Sequence, residues 1–440
     1  MNLRFGYGTN GFSNHRLEDA LGVIADLGYV GVALTLDHAH LDPYAADLAG
    51  RVAAVAQLLD RLGLAVVVET GARYLLDPRR KHSPTLLDDN ASKRVDFLKR
   101  AIDIAADLNA EAVSFWAGVR PADIDEQTSW DRLKSGCAQV AEHAETRGVK
   151  LGFEPEPGML VESIDQWAEL KSSLGDGFGL TLDIGHCRAV EPYSVADCVR
   201  RAGPHLVNVQ IDDMRRGVHE HLEFGEGEID FPPVLRALKE VGYTGLVAVE
   251  LPRHSHAAPE VAARSLTFLR ASEWLAEAVD RVRGDPGSIG ALFPAVGRHT
   301  GRALADSARV RLLQASGLPD DELVALYRYG DNDEKRAILL ALPALRAVQG
   351  TDLLRDALRS NDSRLVAAAL GPAGEDLPDA EWRQGVLKGV FMGLPLAGVH
   401  GLNERADAEL GRMLDGLRKE REAAGRTMPA DAVSLLERLV

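Results

Sequence analysis

Three kinds of feature are scarce in this sequence of 440 residues, and each scarcity argues against a class of protein. Cysteine occurs only three times, at Cys137, Cys187 and Cys198. An odd number of cysteines without a Cys-x-x-Cys spacing argues against a disulfide framework and against a zinc site built from thiolates. No apolar run approaches the roughly eighteen residues that a transmembrane helix needs. We therefore expect neither a disulfide-stabilised fold nor a membrane span.

Positive charge is also in deficit. Lysine and arginine number 50 against 66 aspartate and glutamate residues, which gives a formal net charge of −16. Such a surface repels phosphate backbones, so general nucleic-acid binding is disfavoured. The first residues, MNLRFGYGTNGFSNHR, lack the apolar stretch of a signal peptide. The expectation is a soluble, cytoplasmic protein whose substrate is a small molecule.

Apolar runs of strand length recur eight times in the first two-thirds of the chain. They span residues 3–9, 30–36, 64–69, 112–116, 150–154, 179–183, 206–212 and 246–251. Amphipathic stretches with apolar residues at helical spacing separate them, for example Leu17, Leu21 and Ile24. Eight strand-helix units in about 275 residues match the size of a closed (β/α)8 barrel, the TIM barrel. A doubly wound open sheet is the alternative, although it rarely needs eight evenly spaced repeats.

Charged and amide side chains stand where several of these strands end. The fifth strand ends at Glu154, the sixth at Asp183 and the eighth at Glu250, and the seventh carries Gln210 near its end. In a barrel of this kind, the chemistry takes place where strands end and the following loops begin. Carboxylates that end buried strands cannot all stay ionised together without a compensating charge. A divalent cation is the natural compensating charge.

The motifs in these strands resemble those of a known family. GFEPEPGMLVES, LTLDIGH, VNVQIDD with GEGEIDFPPVLRALKEVGYTG, and VAVEL are similar to the last four strands of xylose-isomerase-like barrels, which include sugar phosphate isomerases and epimerases. The resemblance covers residues 1–277 and implies that Glu154, Asp183, Gln210 and Glu250 bind one divalent metal ion. An oxygen-only set favours Mn²⁺ or Mg²⁺, with Zn²⁺ or Co²⁺ as alternatives. His219 and His221 are candidates for a second metal site.

The same resemblance implies roles for the neighbouring residues. Glu154 and Glu250 would transfer protons, and His186 would bind a substrate hydroxyl group. Further side chains would contact the substrate, and Arg215 or Arg216 would hold a charged or polar tail. The predicted substrate-binding residues are Glu156, Arg215, Arg216, His221 and Trp116.

Composition and periodicity change after about residue 278. Residues 278–299 are rich in Gly and Pro and are predicted to be a linker. Residues 300–440 contain helical patterns alone, with a weak internal repeat in which Asn-Asp heads a helix, so stacked helix pairs are expected. The block HGLNERAD and the residues around it resemble the EboA family. That resemblance implies protein partners from one gene cluster, and a homodimer is a further expectation.

Three classes of function agree with the sequence. The first is a metal-dependent isomerase or epimerase acting on a sugar, a cyclitol or a similar hydroxy-carbonyl compound. The second is a metal-assisted lyase or hydrolase on the same barrel. The third is a non-catalytic binding or scaffold protein that is recruited through the helical domain. A DNA-repair phosphodiesterase like endonuclease IV is disfavoured, since the third and fourth strands end in Glu69 and Trp116 instead of histidines.

Overall fold

The first part of the chain is a closed barrel of eight parallel strands. The computed structural model describes residues 2–175 and 178–439. The barrel strands are β1 (Arg4–Gly8), β2 (Gly31–Thr35), β3 (Ala65–Glu69), β4 (Val113–Phe115), β5 (Leu151–Phe153), β6 (Phe178–Asp183), β7 (Leu206–Ile211) and β10 (Leu246–Val249). They follow one another around the barrel in chain order, and β1 pairs with β10 to close it. The predicted barrel is confirmed, and its closure excludes an open sheet.

Helices follow the strands and form the outer layer of the barrel. They are α1 (Leu17–Leu27), α2 (Leu48–Leu62), α3 (Ala91–Asp107), α4 (Glu126–Arg147), α5 (Ile164–Ser172), α6 (Ile184–Val190), α7 (Val195–Ala202), α8 (Phe231–Glu240) and α9 (Ala258–Gly284). Three of them, α1, α2 and α4, end at a glycine with positive φ, namely Gly28, Gly63 and Gly148. Glycine adopts this left-handed conformation without the steric cost that a Cβ imposes, so these residues stop the helices before the next strand.

One insertion interrupts the regular alternation. Between β7 and α8 the chain forms an antiparallel hairpin of β8 (Asp213–Arg215) and β9 (Val218–Leu222). The sequence predicts only a loop here, because strand residues such as His219 and His221 are polar and give no apolar alternation. The hairpin therefore presents two of the predicted site residues on a regular element.

Side chains that face the barrel axis in the lower half of the strands are mainly apolar. They form a core cluster of their own, separate from the larger one between strands and helices, and its buried members are Ala33, Val67, Ala112, Leu246 and Ala248. Glycine occupies further inward positions because larger residues would not fit. A Cβ at Gly31 would lie 2.5 Å from Leu246 Cδ2, and one at Gly179 would lie 2.5 Å from Val207 Cγ1. Because strand side chains alternate, the inward rows of Val67 and Ala248 continue to Glu69 and Glu250.

The second part of the chain is entirely helical within the described residues. The chain divides into two compact units, Met1–Glu273 and Trp274–Val440. The helices after α9 are α10 (Ile289–Ser316), α11 (Asp320–Tyr329), α12 (Asn332–Leu345), α13 (Gly350–Arg359), α14 (Ser363–Ala369), α15 (Asp379–Met392), α16 (Leu402–Arg405), α17 (Ala408–Ala423) and α18 (Ala430–Leu439). The predicted helical domain is thus confirmed.

The internal repeat coincides with two linked helix caps. Asp331 caps α12 by accepting the N–H of Glu334, and Asp362 caps α14 by accepting the N–H of Arg364. The first cap is therefore Asp331, one residue before the predicted Asn-Asp pair. Asn332 of that pair donates from Nδ2 to Asp362 at 2.9 Å instead, so it joins the two caps to each other.

Residues 278–299 correct one part of the sequence analysis. They contain the end of α9, a 3-10 turn at Pro286–Ser288 and the start of α10, so they are mostly helical and not an irregular linker. Val282, Ile289 and Phe293 of this segment are buried in the core of the second unit. Burial of these apolar side chains stabilises helix on both sides of a short Gly/Pro break. The domain bounds 1–277 and 300–440 remain a prediction.

Among the described helices, none combines the length and the hydropathy that a membrane span requires.

We predict that Gly152 is required by packing inside the barrel. A Cβ there would overlap Thr181 Oγ1 and lie 2.9 Å from Val207 Cγ2. Gly152→Ala should therefore lower the free energy of unfolding by about 1–3 kcal/mol, the usual effect of overpacking a core. Urea denaturation of the intact chain, followed by circular dichroism, measures this change.

Gly50→Ala is the matched control. Gly50 lies at an exposed position of α2 with no heavy atom within 4 Å of a Cβ built there, so alanine should raise helix stability by about 0.5–1 kcal/mol. Equal midpoints for Gly152→Ala and the unchanged chain would contradict the steric argument.

Candidate active site

The carboxyl ends of the barrel strands surround a cavity of about 630 Å³. Predicted site residues that line it are Trp116, Glu154, Glu156, His186, Gln210, His219, His221 and Glu250. Asp183 lies next to these residues, buried, with a carboxylate oxygen inside the cluster formed by Glu154 and His186. The structure thus brings all four predicted metal ligands to one end of the barrel.

Gln210 connects two carboxyl groups inside this cavity. Its Nε2 donates to Glu250 Oε2 at 2.6 Å and to Glu69 Oε1 at 3.0 Å. Asn10 Nδ2 donates to the other oxygen of Glu250 at 3.0 Å. Gln210 Oε1 is buried and has no hydrogen-bond partner in the described part of the chain. Both amide hydrogens are therefore used by carboxylates, and the amide oxygen is left for a further ligand.

Asp183 is held by the start of the helix that follows it. Its Oδ1 accepts the N–H of His186 at 2.7 Å as the N-cap of α6, while Oδ2 is buried without a partner among the described residues. Glu154 Oε1 lies 3.5 Å from His186 Nδ1, and ligand atoms of the three residues lie within 4.8 Å of one another. The strand-to-helix turn therefore fixes a carboxylate with one oxygen available.

Burial and mutual repulsion raise the pKa values of the cavity carboxyl groups. Burial is the main cause for Glu154 and Glu250, and like charges add to it, chiefly Glu250 for Glu154 and Glu69 for Glu250. Burial also raises the pKa of Glu69 to about 7, although hydrogen bonds from Gln210 and Thr35 oppose the shift. These groups cannot all be ionised at neutral pH without a positive charge among them.

A divalent cation fits this donor set. Gln210 supplies an amide oxygen and Asp183 a carboxylate oxygen, both buried and without a hydrogen-bond partner among the described residues. Glu154 and Glu250 supply two further carboxylates. Carboxylate and amide oxygens are the ligands that Mn²⁺ and Mg²⁺ prefer.

Three histidines form a second cluster at the side of the cavity. His186, His219 and His221 have ligand nitrogens within 4.8 Å of one another, and His186 Nε2 lies 3.1 Å from His219 Nε2. Burial lowers the pKa of His186 to about 4. His221 behaves differently, because its Nδ1 forms an ion pair with the fully buried Asp212. Burial opposes protonation of His221, but the Asp212 carboxylate outweighs it and raises the pKa of His221 to about 10.

Asp213 holds the hairpin and the loop after it in place. Its carboxylate accepts hydrogen bonds of 2.9–3.1 Å from the backbone N–H groups of Met214, Gly225, Gly227 and Ile229. A Cβ at Gly227 would overlap this carboxylate, which explains the glycine in the GEGE motif. The adjacent acidic residues thus divide their tasks, since Asp213 holds the loop while Asp212 holds His221.

Arg215 and Arg216 lie outside the cavity lining. Arg215 Nη2 donates to the carbonyl oxygen of Glu226, and Arg216 Nη1 donates to that of Glu191. The cationic side chains that do line the cavity are Arg73, Lys81 and Arg253. Both arginines are close to the site along the chain, but their side chains bind carbonyl groups of the loop after β9 and of the residue that follows α6.

Buried Arg94 braces the loop between β3 and α3, which carries two of these cations. Its guanidinium donates to the carbonyl oxygens of Thr70, His82 and Pro84 at 2.8–3.1 Å. The guanidinium carbon also lies 4.8 Å from the ring centre of Trp116. Three backbone carbonyls of one loop are therefore held by a single side chain from α3.

Several site residues were not assigned a role from the sequence. The sequence marks Glu69 only as the residue that ends β3, although its position in the inward row of that strand is a signal that it faces the cavity. Asp212 directly follows β7, and its pairing with a histidine of the hairpin gives no local signal. Asn10 lies in the turn after β1, where nothing in the sequence indicates that its side chain reaches Glu250.

Comparison with known proteins agrees with this geometry. Residues 21–272 match the family described as xylose isomerase-like TIM barrel, and residues 320–437 match metabolite traffic protein EboA. An uncharacterised protein of Methanocaldococcus jannaschii is 26% identical over 259 residues, which are 57% of this chain and 84% of that protein. The L-ribulose-5-phosphate 3-epimerase of Shigella flexneri is 27% identical over 225 residues, which are 49% of this chain and 76% of the epimerase.

Solved structures show the same barrel. An L-ribulose 3-epimerase superposes with a TM-score of 0.52 at 21% sequence identity and covers 62% of this chain and 96% of its own. A likeness at this identity establishes the fold.

We predict that Arg94 keeps the β3–α3 loop closed. In Arg94→Leu the three carbonyl oxygens lose their hydrogen-bond donor. Each carbonyl oxygen that stays buried without a donor destabilises the closed loop by about 1–3 kcal/mol. The loop should open more often, and trypsin should cleave after the exposed Arg79, Arg80 or Lys81 at least about tenfold faster, since cleavage follows the open population.

Arg100→Leu is the control. It also removes one arginine from α3, but Arg100 pairs with Asp96 at the surface. Cleavage of the loop at equal rates in both variants would show that Arg94 does not brace it.

Proposed function

The chain belongs to the xylose isomerase-like TIM barrel family, and on that basis we propose that it is a divalent-cation-dependent isomerase or epimerase acting on a sugar or a similar hydroxy-carbonyl compound. The observation that supports this most directly is the pair Glu154 and Glu250 in one cavity, together with unpartnered oxygens of Asp183 and Gln210. The relationship to a sugar epimerase agrees with it.

The reaction needs a base and an acid on the carbon next to a carbonyl group. We assign these tasks to Glu154 and Glu250, of which one removes the proton and the other returns one. Glu250 receives hydrogen bonds from amide donors on both oxygens, which stabilise its carboxylate form. Among the described residues, the side chain of Glu154 has only long polar contacts, of 3.5 Å to Ser114 Oγ and 3.5 Å to His186 Nδ1, so its carboxyl group is the easier one to protonate. The neighbouring groups therefore favour an ionised Glu250 and a protonated Glu154, and an acid–base pair requires this difference in protonation.

Glu154, Asp183, Gln210 and Glu250 would hold the cation. When bound, it stabilises negative charge on the oxygens of the enediolate that proton removal creates. The residues themselves orient the substrate around it, because Trp116 offers an apolar face and Glu156 offers a hydrogen-bond acceptor in the cavity wall. His186 is expected to bind a substrate hydroxyl, and its Nε2 lies 3.1 Å from His219 Nε2 at the side of the cavity.

The cavity cations favour a substrate with an anionic group. Arg73 and Lys81 line the cavity, and neither forms an ion pair with a residue of the described ranges. Arg253 pairs with Glu220 at 2.8 Å. We assign to Arg73 and Lys81 the tail-binding role expected of Arg215 and Arg216, and a phosphorylated ketose is then the preferred substrate class.

We assign the helical unit a role in protein partnership and not in catalysis. Support comes from its match to a metabolite traffic protein, which suggests transfer of a substrate or product between proteins. A homodimer and a cytoplasmic location remain predictions from the sequence.

We predict that Glu154→Gln and Glu250→Gln each lower kcat by about 10² to 10⁴, the usual contribution of one acid–base group. Each variant should keep its cation, because an amide oxygen still coordinates. Candidate substrates are L-ribulose 5-phosphate and L-ribulose with Mn²⁺, and NMR in deuterated water measures both turnover and label incorporation next to the carbonyl.

Glu260→Gln, at an exposed position on α9, is the matched control and should leave turnover unchanged. Near-normal turnover in both active-site variants would end the enediolate mechanism for this protein.

For the cationic side chains we predict a change in KM that depends on the phosphate. Arg73→Gln and Lys81→Met should each raise KM for the phosphorylated ketose about 10- to 100-fold, the loss expected for a charge-assisted hydrogen bond. KM for the unphosphorylated sugar should change little. Arg79→Gln, exposed on the same loop but outside the cavity lining, is the control. Equal changes for both substrates would show that these cations bind no phosphate.

A further inference from the structure

The helical unit has a cavity of its own, and part of the HGLNERAD block, which the barrel chemistry does not use, lines it. The cavity has a volume of about 500 Å³ and lies between residues 396–404 and one face of α18. The residues of the block in its lining are Gly401, Leu402, Asn403 and Glu404. We propose that this cavity binds a small zwitterion, an α-amino acid with an aromatic or branched apolar side chain.

The next part of the HGLNERAD block builds the frame beside this cavity. Arg405 donates to the carbonyl oxygen of Gly374 at 2.9 Å, and its guanidinium carbon lies 4.8 Å from the ring centre of Trp382. Asp407 caps α17 and forms an ion pair with Arg383 at 2.7 Å. These two side chains hold the end of α16 and the start of α17. The block therefore has a structural part and a part that faces the cavity.

A smaller, apolar cavity adjoins the first one. Its volume is about 140 Å³, and Leu396 and Val399 line both cavities. An apolar cavity of about 150 Å³ is large enough to bind benzene. A phenyl ring or a branched alkyl group therefore fits, and its burial favours binding through the hydrophobic effect. The other residues around the apolar cavity are Ala367, Leu370, Gly389, Leu394, Pro395 and Gly398.

Two charged side chains that line the larger cavity have no ion-pair partner among the described residues. They are Glu404 and Arg438, and Arg438 Nη1 makes one long hydrogen bond of 3.4 Å, to Asn403 Oδ1. The other acidic residue of the lining is already used, because the oxygens of Asp431 accept backbone N–H groups at 2.8 and 2.9 Å, one of them from Leu396. A carboxylate and a guanidinium group are thus both available to a ligand.

These groups together define the class of ligand. A guanidinium group binds a carboxylate through charge-assisted hydrogen bonds, and a carboxylate binds an ammonium group in the same way. An amino acid such as phenylalanine or leucine carries both charges and an apolar group of the size that the smaller cavity takes. Its carboxylate would pair with Arg438 and its ammonium group with Glu404. The larger cavity lies within the usual volume range of small-molecule sites.

The expected affinity is low. Glu404 and Arg438 are exposed, so water screens each ion pair with the ligand, and most of the affinity comes from the buried apolar group. We expect a Kd of about 0.1–1 mM. The inference does not depend on the isomerase proposal, because all residues that line the two cavities belong to the helical unit.

Ligand-observed NMR titration of the full-length chain with L-phenylalanine tests the inference, and L-leucine should bind as well. Three analogues each lack one of the recognised groups. Without the ammonium group, 3-phenylpropionate should bind about 3- to 10-fold more weakly than phenylalanine, and 2-phenylethylamine, without the carboxylate, should be weakened equally. L-Alanine, without the large side chain, should bind about 10- to 100-fold more weakly.

Two variants identify the charged groups through their effect on these analogues. Glu404→Gln and Arg438→Gln should each weaken phenylalanine binding about 3- to 10-fold. In Glu404→Gln, phenylalanine and 3-phenylpropionate should bind with nearly equal affinity, because the carboxylate that distinguishes them is absent. In Arg438→Gln, the same should hold for phenylalanine and 2-phenylethylamine. Glu437→Gln, exposed on α18 but outside the cavity lining, is the control and should bind like the unchanged chain.

Two results would overturn the inference. One is the absence of phenylalanine binding to the unchanged chain at about 10 mM, well above the expected Kd. The other is phenylalanine binding that neither Glu404→Gln nor Arg438→Gln weakens, because the amino acid would then bind elsewhere in the chain. Failure of the isomerase proposal shows separately, as absence of ketose turnover, and these titrations do not measure turnover.

Discussion

Repulsion among buried carboxyl groups is the constraint on which the arrangement of this barrel depends. Four buried groups, Glu69, Glu154, Asp183 and Asp212, lie in or beside one cavity together with the partly buried Glu156 and Glu250. Two unit charges 4 Å apart repel by about 4 kcal/mol at the effective dielectric constant typical of protein sites. The net stability of a domain is only about 5–15 kcal/mol, so a few uncompensated pairs would unfold it. Amide donors and a paired histidine compensate part of this charge, and the cavity has donor groups that could hold a cation.

The rest of the barrel makes this concentration of charge tolerable. Below the cavity, most inward positions are glycine, alanine or other apolar residues, and Thr181 and Asn208, two residues before Asp183 and Gln210, are the buried polar exceptions. Above it, Arg94 and Asp213 hold two long loops through backbone hydrogen bonds, so the loops keep their shape without a core of their own. Charge is thereby confined to one layer, where the strands end and the loops begin. This separation lets the scaffold stay stable while the site retains unpartnered oxygens.

The cavity contains two chemically different sets of ligands. One side offers carboxylate and amide oxygens, and the other offers imidazole nitrogens from α6 and the hairpin. Asp183 and His186 stand at the boundary, because the N-cap hydrogen bond of α6 fixes both at once. A change at this turn would therefore disturb both sets of ligands, because the short DIGH motif supplies one residue to each set.

The sequence by itself determined the barrel and the residues that end its strands. Both follow from local periodicity: alternation along each strand fixes which side chains face the axis, and Glu154, Asp183, Gln210 and Glu250 fall in the inward rows. The tertiary structure decided the partners. Gln210 bridges Glu69 and Glu250 because β3 faces β7 across the barrel while β10 lies beside β7, and Asp212 holds His221 because the chain after β7 turns back on itself as a hairpin. Arg215 and Arg216 illustrate the same limit, since their place in the chain was visible but the carbonyl groups that bind them were not. Hydrogen-bond partners depend on strand register and loop geometry between distant segments, and no local pattern encodes these.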